Sequence, residues 1–277
     1  MRIYAFSDEA SPMMEGQIAA MKRNGLNGTE IRGVDGQNVS AITADKAREV
    51  LAKLKDSGLS VWSVGSPIGK IPVDGGFEEH LDLLKHVLEI ANALECENLR
   101  MFSFYIPEGA KPEDFRGEVI DRLGKMAETA AGYGVALCHE NEKGIYGDVA
   151  PRCVEILDAV PALRCVFDPA NFIQCGQDVA AAWELLGKRV YYMHIKDALP
   201  DGTVVPAGMG IGLLPEILKD YAARGGQNVT VEPHLRVFRG LEGLERDNNG
   251  RTPVQNGVYP TSDAAFDAAC SALKALL

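Results

Sequence analysis

Four side chains of the kind that hold metal ions, Glu140, Asp168, His194 and Glu232, recur along the chain at spacings of 28, 26 and 38 residues. Each closes a short apolar run with strand character, at residues 135–140, 164–168, 190–194 and 229–234. Three carboxylates and one imidazole make a hard, oxygen-rich donor set. It suits a single Mn²⁺, with Mg²⁺, Co²⁺ or Zn²⁺ as alternatives, Zn²⁺ being less distinctive because thiolate is absent. Four protein ligands leave about two positions of an octahedral shell open. A hydroxyl and an adjacent carbonyl of a sugar would fill both, and that geometry suits proton abstraction next to the carbonyl to give an enediolate. Glu140 and Glu232 are the candidate acid and base. Acting on opposite faces they would epimerise; alternatively one returns the proton to the neighbouring carbon and isomerises. No short motif joins the four residues, so the chemistry requires a fold that brings the ends of consecutive strands together.

That fold is legible independently. Strand-like runs at residues 2–6, 28–32, 60–65, 98–104, 135–141, 164–167, 189–196 and 227–234 alternate with helical patterns at 13–22, 43–57, 77–94, 113–133, 148–160, 179–186, 213–223 and 262–277. Gly58 and Gly134 stand where left-handed helix stops belong. Eight β-then-α units without a linker or a composition break predict one α/β domain over residues 1–277, a closed (β/α)8 TIM barrel. An open doubly wound sheet would need a glycine-rich phosphate turn after its first strand, and residues 7–12 (SDEASP) contain no glycine. In a barrel, functional side chains sit at the C-terminal ends of the strands, where all four candidates fall.

Composition narrows the class further. The 277 residues are 46% hydrophobic and 24% charged, enough for a full core. A formal charge of −11 repels phosphodiesters and anionic lipids, so small-molecule chemistry is expected, with neither nucleic acid nor membrane as a partner. The six cysteines form no paired motif and read as buried hydrophobes in a reducing, cytoplasmic compartment. The first residues show neither a secretory signal nor a membrane span.

Side-chain alternation puts Ala136, Cys138 and Glu140 on one side of their strand, Val166 with Asp168, Tyr192 with His194 and Lys196, and Thr230 with Glu232 and His234. His234 and Lys196 therefore could reach substrate, against a loop contact for the first and an ion pair with Asp197 for the second. His139 has the opposite parity and is expected to be structural. His80 and His86 are expected to face solvent or its margin; Glu30 and Arg32, ending the second strand, are lesser site candidates, with pairing to each other as the alternative. Residues 235–261 form an unusually long connection, polar and rich in Gly, Asn and Arg. It is expected to be a lid bringing Phe238 or Arg239 to the substrate, or else an oligomer contact.

Residues 138–142 (CHENE), 167–172 (FDPANF), 193–198 (MHIKDA), 206–210 (PAGMG) and 231–234 (VEPH) resemble the xylose-isomerase-like barrel superfamily of sugar epimerases and isomerases, over nearly the whole chain. The resemblance implies one divalent metal on Glu140, Asp168, His194 and Glu232, with the two glutamates as acid/base pair. It also implies a sugar, ketose or inosose substrate and homodimers or homotetramers. Many relatives carry, at the place of Asn171, a His that contacts substrate or a second metal, and epimerases tend to carry Arg at the place of Pro200. A dehydratase of a polyol carbonyl compound would use the same groups. The superfamily's apurinic endonuclease branch needs more histidines and a surface that attracts DNA, and a silent binding protein would usually have lost a ligand.

Overall fold

Eight parallel strands close into a barrel in the computed structural model, which describes residues 1–238, 252–254 and 257–277. They are β1 (Arg2–Ala5), β2 (Gly28–Ile31), β3 (Ser60–Gly65), β4 (Asn98–Met101), β5 (Ala136–Glu140), β6 (Arg164–Phe167), β7 (Val190–Ile195) and β8 (Asn228–Val231). Each strand pairs with its neighbours in sequence, and β1 closes on β8 in register from Arg2↔Asn228 to Ala5↔Val231. Strands β2 and β4 are covered on both faces and buried at every position, Glu30 and Arg100 included. Between β2 and β3 the register slips: Thr29 pairs with Val61, and Glu30 with Ser63, so Trp62 is the extra residue of a bulge.

Helices α1 (Met14–Arg23), α2 (Ala44–Asp56), α3 (Phe77–Ala93), α4 (Arg116–Gly132), α5 (Ala150–Ala159), α6 (Pro169–Gln174), α7 (Val179–Leu186), α8 (Leu214–Ala223) and α9 (Ser262–Lys274) surround it. Their ends follow local chemistry. Thr43, Asp178 and Thr261 cap α2, α7 and α9 by accepting a backbone N–H three residues on. Gly58 and Gly134 adopt φ of +72° and +70° just past α2 and α4. The first and last helices are tied across the seam, where Arg23 meets Asp263 and Asp267.

Inside the barrel, Cys138, Val166 and Tyr192 pack with Trp62 and Tyr191, which identifies the parity of Glu140, Asp168 and His194 as the inward one. Tyr4 and Trp62 stack at 5.5 Å, so an aromatic floor closes the barrel beneath the site. No helix among the described residues is long and apolar enough to cross a membrane. Five of the six cysteines are buried and Cys175 is half-buried, all as free thiols.

Candidate metal centre

Glu140 ends β5, His194 lies in β7, and Asp168 and Glu232 follow β6 and β8 directly. Each offers one ligand atom, and these four atoms all lie within 4.8 Å of one another; the residues are buried. Pro169 fixes the first turn of α6 and keeps Asp168 extended, with φ −115° and ψ 108°. Asn141 pins that residue from the next strand end: its Oδ1 accepts the Asp168 amide at 2.9 Å, and its Nδ2 donates to the Asp168 carbonyl at 2.9 Å. Asp168 Oδ1 accepts the Asn171 amide at 2.9 Å. Oδ2 is buried, makes no hydrogen bond, and is ion-paired with Lys196 Nζ 2.9 Å away. Three buried carboxylates and an imidazole converging on one point fit a divalent cation.

His194 is clamped from both sides. Its Nδ1 is 2.9 Å from Glu140 Oε1 and its Nε2 is 3.1 Å from Glu30 Oε2. Burial alone would lower the imidazole, yet Glu140 and Glu30 hold it up at about 10. Glu30 is fixed in turn by the Tyr192 hydroxyl at 2.9 Å and the Thr230 hydroxyl at 2.8 Å. The alternative Glu30–Arg32 pair does not form. The two residues share a parity, but Glu30 is taken by His194, Tyr192 and Thr230, and Arg32 binds Asp8, Glu9 and Glu232 instead, with Phe6 and Phe238 over its guanidinium at 4.3 and 4.8 Å. Burial pushes Asp168 up to about 7, opposed by Lys196 and aided by Glu232 and Glu140. For Glu232 burial is outweighed by Lys196, His234, His194 and Arg32, which hold it well below the usual carboxylate range.

Lys196 Nζ sits 2.8 Å from Glu232 Oε2 and is buried. Burial works against its charge, but Asp168 and Glu232 keep it well above the ordinary lysine range. Asp197 is not its partner. That carboxylate accepts the backbone N–H groups of Ala198, Gly208, Gly210 and Gly212, at 2.9–3.0 Å, and so organises the glycine-rich turn after β7. Asn171 donates to Glu140 Oε1 at 3.3 Å and to the Asn141 carbonyl at 2.9 Å. His234, with φ +43°, places Nδ1 3.0 Å from Glu9 Oε1, and its backbone N–H donates to Glu9 Oε2 at 2.7 Å.

His139 points to the helix layer, where Nε2 meets Ser103 Oγ at 3.0 Å, and burial pushes it down to about 3. His80 departs from expectation: it is buried, because its Nε2 accepts the Gly69 N–H at 2.7 Å and anchors the β3–α3 turn. His86 is half-buried against the Ile42 carbonyl. Arg239 lies outside the described residues, as do 240–251 and 255–256. The described parts of the long connection reach the site: Phe238 packs edge-on to His234 at 5.5 Å, and Lys143 donates to Thr252 Oγ1 at 3.1 Å.

A cavity of about 20 Å³ opens on these groups, lined by Lys196, Asn171, His234 and Thr252 together with Arg32 and Arg100. It holds about one water-sized group, so a sugar requires its walls to part. Arg100 belongs to the site as well, with Nε 3.3 Å from Glu140 Oε2. Sequence reasoning missed Arg100, Glu9 and the role of Glu30. For Arg100 the signal is a charged residue between Leu99 and Met101 inside a short strand, whereas Glu9, in the turn after β1, carries none.

Residues 18–242 match the family described as Xylose isomerase-like TIM barrel. The chain belongs to that family. Solved structures share the barrel of this xylose isomerase-like chain over almost its full length. The IOLI protein with a binding zinc atom has a TM-score of 0.74 at 16% identity, covering 100% of this chain and 98% of its own. D-psicose 3-epimerase with D-tagatose, from Clostridium cellulolyticum H10, gives 0.74 at 14% identity and the same coverage. The probable 3-DHS dehydratase AsbF from Bacillus anthracis gives 0.73 at 16% identity, covering 99% and 98%. At such identities the likeness shows the fold alone. A search of the curated proteins finds no match.

Proposed function

We propose that this chain is a divalent-metal-dependent epimerase or aldose–ketose isomerase of a small sugar, ketose or inosose. The observation that carries the reading is the convergence of Glu140, Asp168, His194 and Glu232 on one buried point. These four residues would hold the ion, with Mn²⁺ named first for a hard oxygen and imidazole donor set. A bound ion would supply Lewis-acid polarisation of the substrate carbonyl. The rest falls to the chain's own groups. Glu140 or Glu232 takes the proton from the carbon beside the carbonyl, leaving its electron pair in the enediolate. The other glutamate returns a proton to the opposite face, or the first returns it to the neighbouring carbon. Lys196, Asn171 and His234, all lining the cavity, would hold substrate oxygens.

Burial supports the same reading, since a shielded site keeps water from protonating the intermediate. A lyase reading uses the same first step, followed by loss of a β-hydroxyl, for which the Lys196 ammonium in the cavity offers an acid. Incubating Mn²⁺-loaded protein in D₂O with a panel of ketoses and inososes separates these outcomes. Deuterium at the carbon beside the carbonyl is expected, with an epimer or isomer as product. A dehydrated product would assign the lyase instead, and no exchange with any member would remove the enediolate route.

A further inference from the structure

Two of the three site carboxylates are already served by a cation of the chain's own. Lys196 Nζ lies 2.8 Å from Glu232 Oε2 and 2.9 Å from Asp168 Oδ2. These oxygens face the centre of the site. Asp168 commits Oδ1 to the Asn171 amide, and Glu232 turns Oε1 toward Arg32 and His234, at 3.4 and 3.6 Å. Glu232 Oε2, by contrast, is 3.6 Å from His194 Nδ1, which lies 2.9 Å from Glu140 Oε1. An ammonium and a divalent ion held by the four residues would therefore need the same two oxygens.

Nothing on β7 draws the ammonium elsewhere. Asp197, its neighbour in the chain, is occupied by four backbone N–H groups. Lys196 is buried and lines the cavity, so a displaced ammonium turns into the space where substrate would lie. Three carboxylates this close repel one another, and an intrinsic cation keeps them converged. The same cation opposes any ion that arrives.

Resting on the metal reading above, we infer that Lys196 is a tethered competitor for the metal, setting the affinity of the site and turning toward substrate when the ion is loaded. Metal loading and the presentation of a substrate-binding cation are then one event. Calorimetric titration with Mn²⁺ alone tests this on the wild-type chain, Lys196→Met and Lys196→Arg. The methionine variant should bind Mn²⁺ about tenfold or more tightly than wild type, and the arginine variant no more tightly than wild type. A folded Lys196→Met protein with unchanged or weaker affinity overturns the inference while leaving the metal reading intact. Absence of binding by every variant, wild type included, would instead remove the metal reading and this inference with it. Chemical acetylation of the wild-type chain, read by peptide mass, needs no variant: labelling of Lys196 should rise several-fold on adding Mn²⁺. Equal labelling with and without the ion counts against displacement.

Discussion

Glu140 and Glu232 divide their oxygens in the same way, one toward the centre of the site and one toward a guanidinium: Arg100 Nε at 3.3 Å for the first, Arg32 Nη1 at 3.4 Å for the second. The two groups thus stand as near counterparts across the barrel mouth, as a two-base proton transfer requires. Glu140→Gln and Glu232→Gln are each expected to keep the fold and lose about 10²–10⁴ in turnover. Each should still exchange deuterium into one epimer, because one base survives on one face. Undiminished epimerisation by either variant, followed by NMR in D₂O, would remove that glutamate from the chemistry. Sequence parity set which strand neighbours these two carboxylates share a side with, and the packing of Cys138 with Val166, Tyr192 and Trp62 made Glu140's side the inner wall. It said nothing of their arginine partners, Arg100 on the adjacent β4 and Arg32 just past the end of β2.

At the scale of elements, the loops at the C-terminal face are held by single buried polar residues. Asp197 gathers the turn after β7, and at Gly210 a Cβ would fall 2.2 Å from the Ala198 carbonyl oxygen and 2.3 Å from Asp197 Oδ1. Asp197→Ala would orphan several amides at once and is expected to cost about 3 kcal/mol or more in denaturant unfolding. Gly210→Ala should destabilise in the same assay, and wild-type stability in either case would mean the turn is not so constrained. The β3–α3 turn hangs on His80 instead, through the Gly69 N–H. Burial, helped by Arg122, pushes His80 down to about 4 from 6.5. Its folded value lies below its unfolded one, so the unfolded chain binds the extra proton between those two values. The stabilisation is complete above pH 6.5 and is lost as pH falls through about 4. His80→Leu should cost about 1–3 kcal/mol at neutral pH and flatten that part of the acid profile, as read by urea titrations across pH. An unaltered profile would locate the acid sensitivity elsewhere.

For the whole molecule, the four candidate ligands come from four different strand ends, so an ion held among them would act as a cross-link on the closed barrel. Binding to the folded state alone stabilises by mass action, about 2.7 kcal/mol at a hundredfold excess over Kd. Thermal unfolding should therefore shift upward with Mn²⁺ concentration in the wild type, and the shift should vanish in His194→Ala. The same rise in both proteins would mean that the ion binds somewhere else.

The order of eight β/α units, the stops at Gly58 and Gly134 and the strand-end placement of Glu140, Asp168, His194 and Glu232 were all determined by the sequence itself. They depend on periodicity and on turn chemistry, both of which act within a few residues. Closure decided the rest. Glu30 meets Thr230 and Arg32 meets Glu232, each across 200 residues of chain, only because β1 pairs with both β2 and β8. The grip of Glu30 on His194, the burial of His80 and the choice of Asp168 and Glu232 over Asp197 by Lys196 are likewise distances between strand ends and the layers around them. Local patterning encodes which way a side chain faces, and the closed ring determines what it meets there.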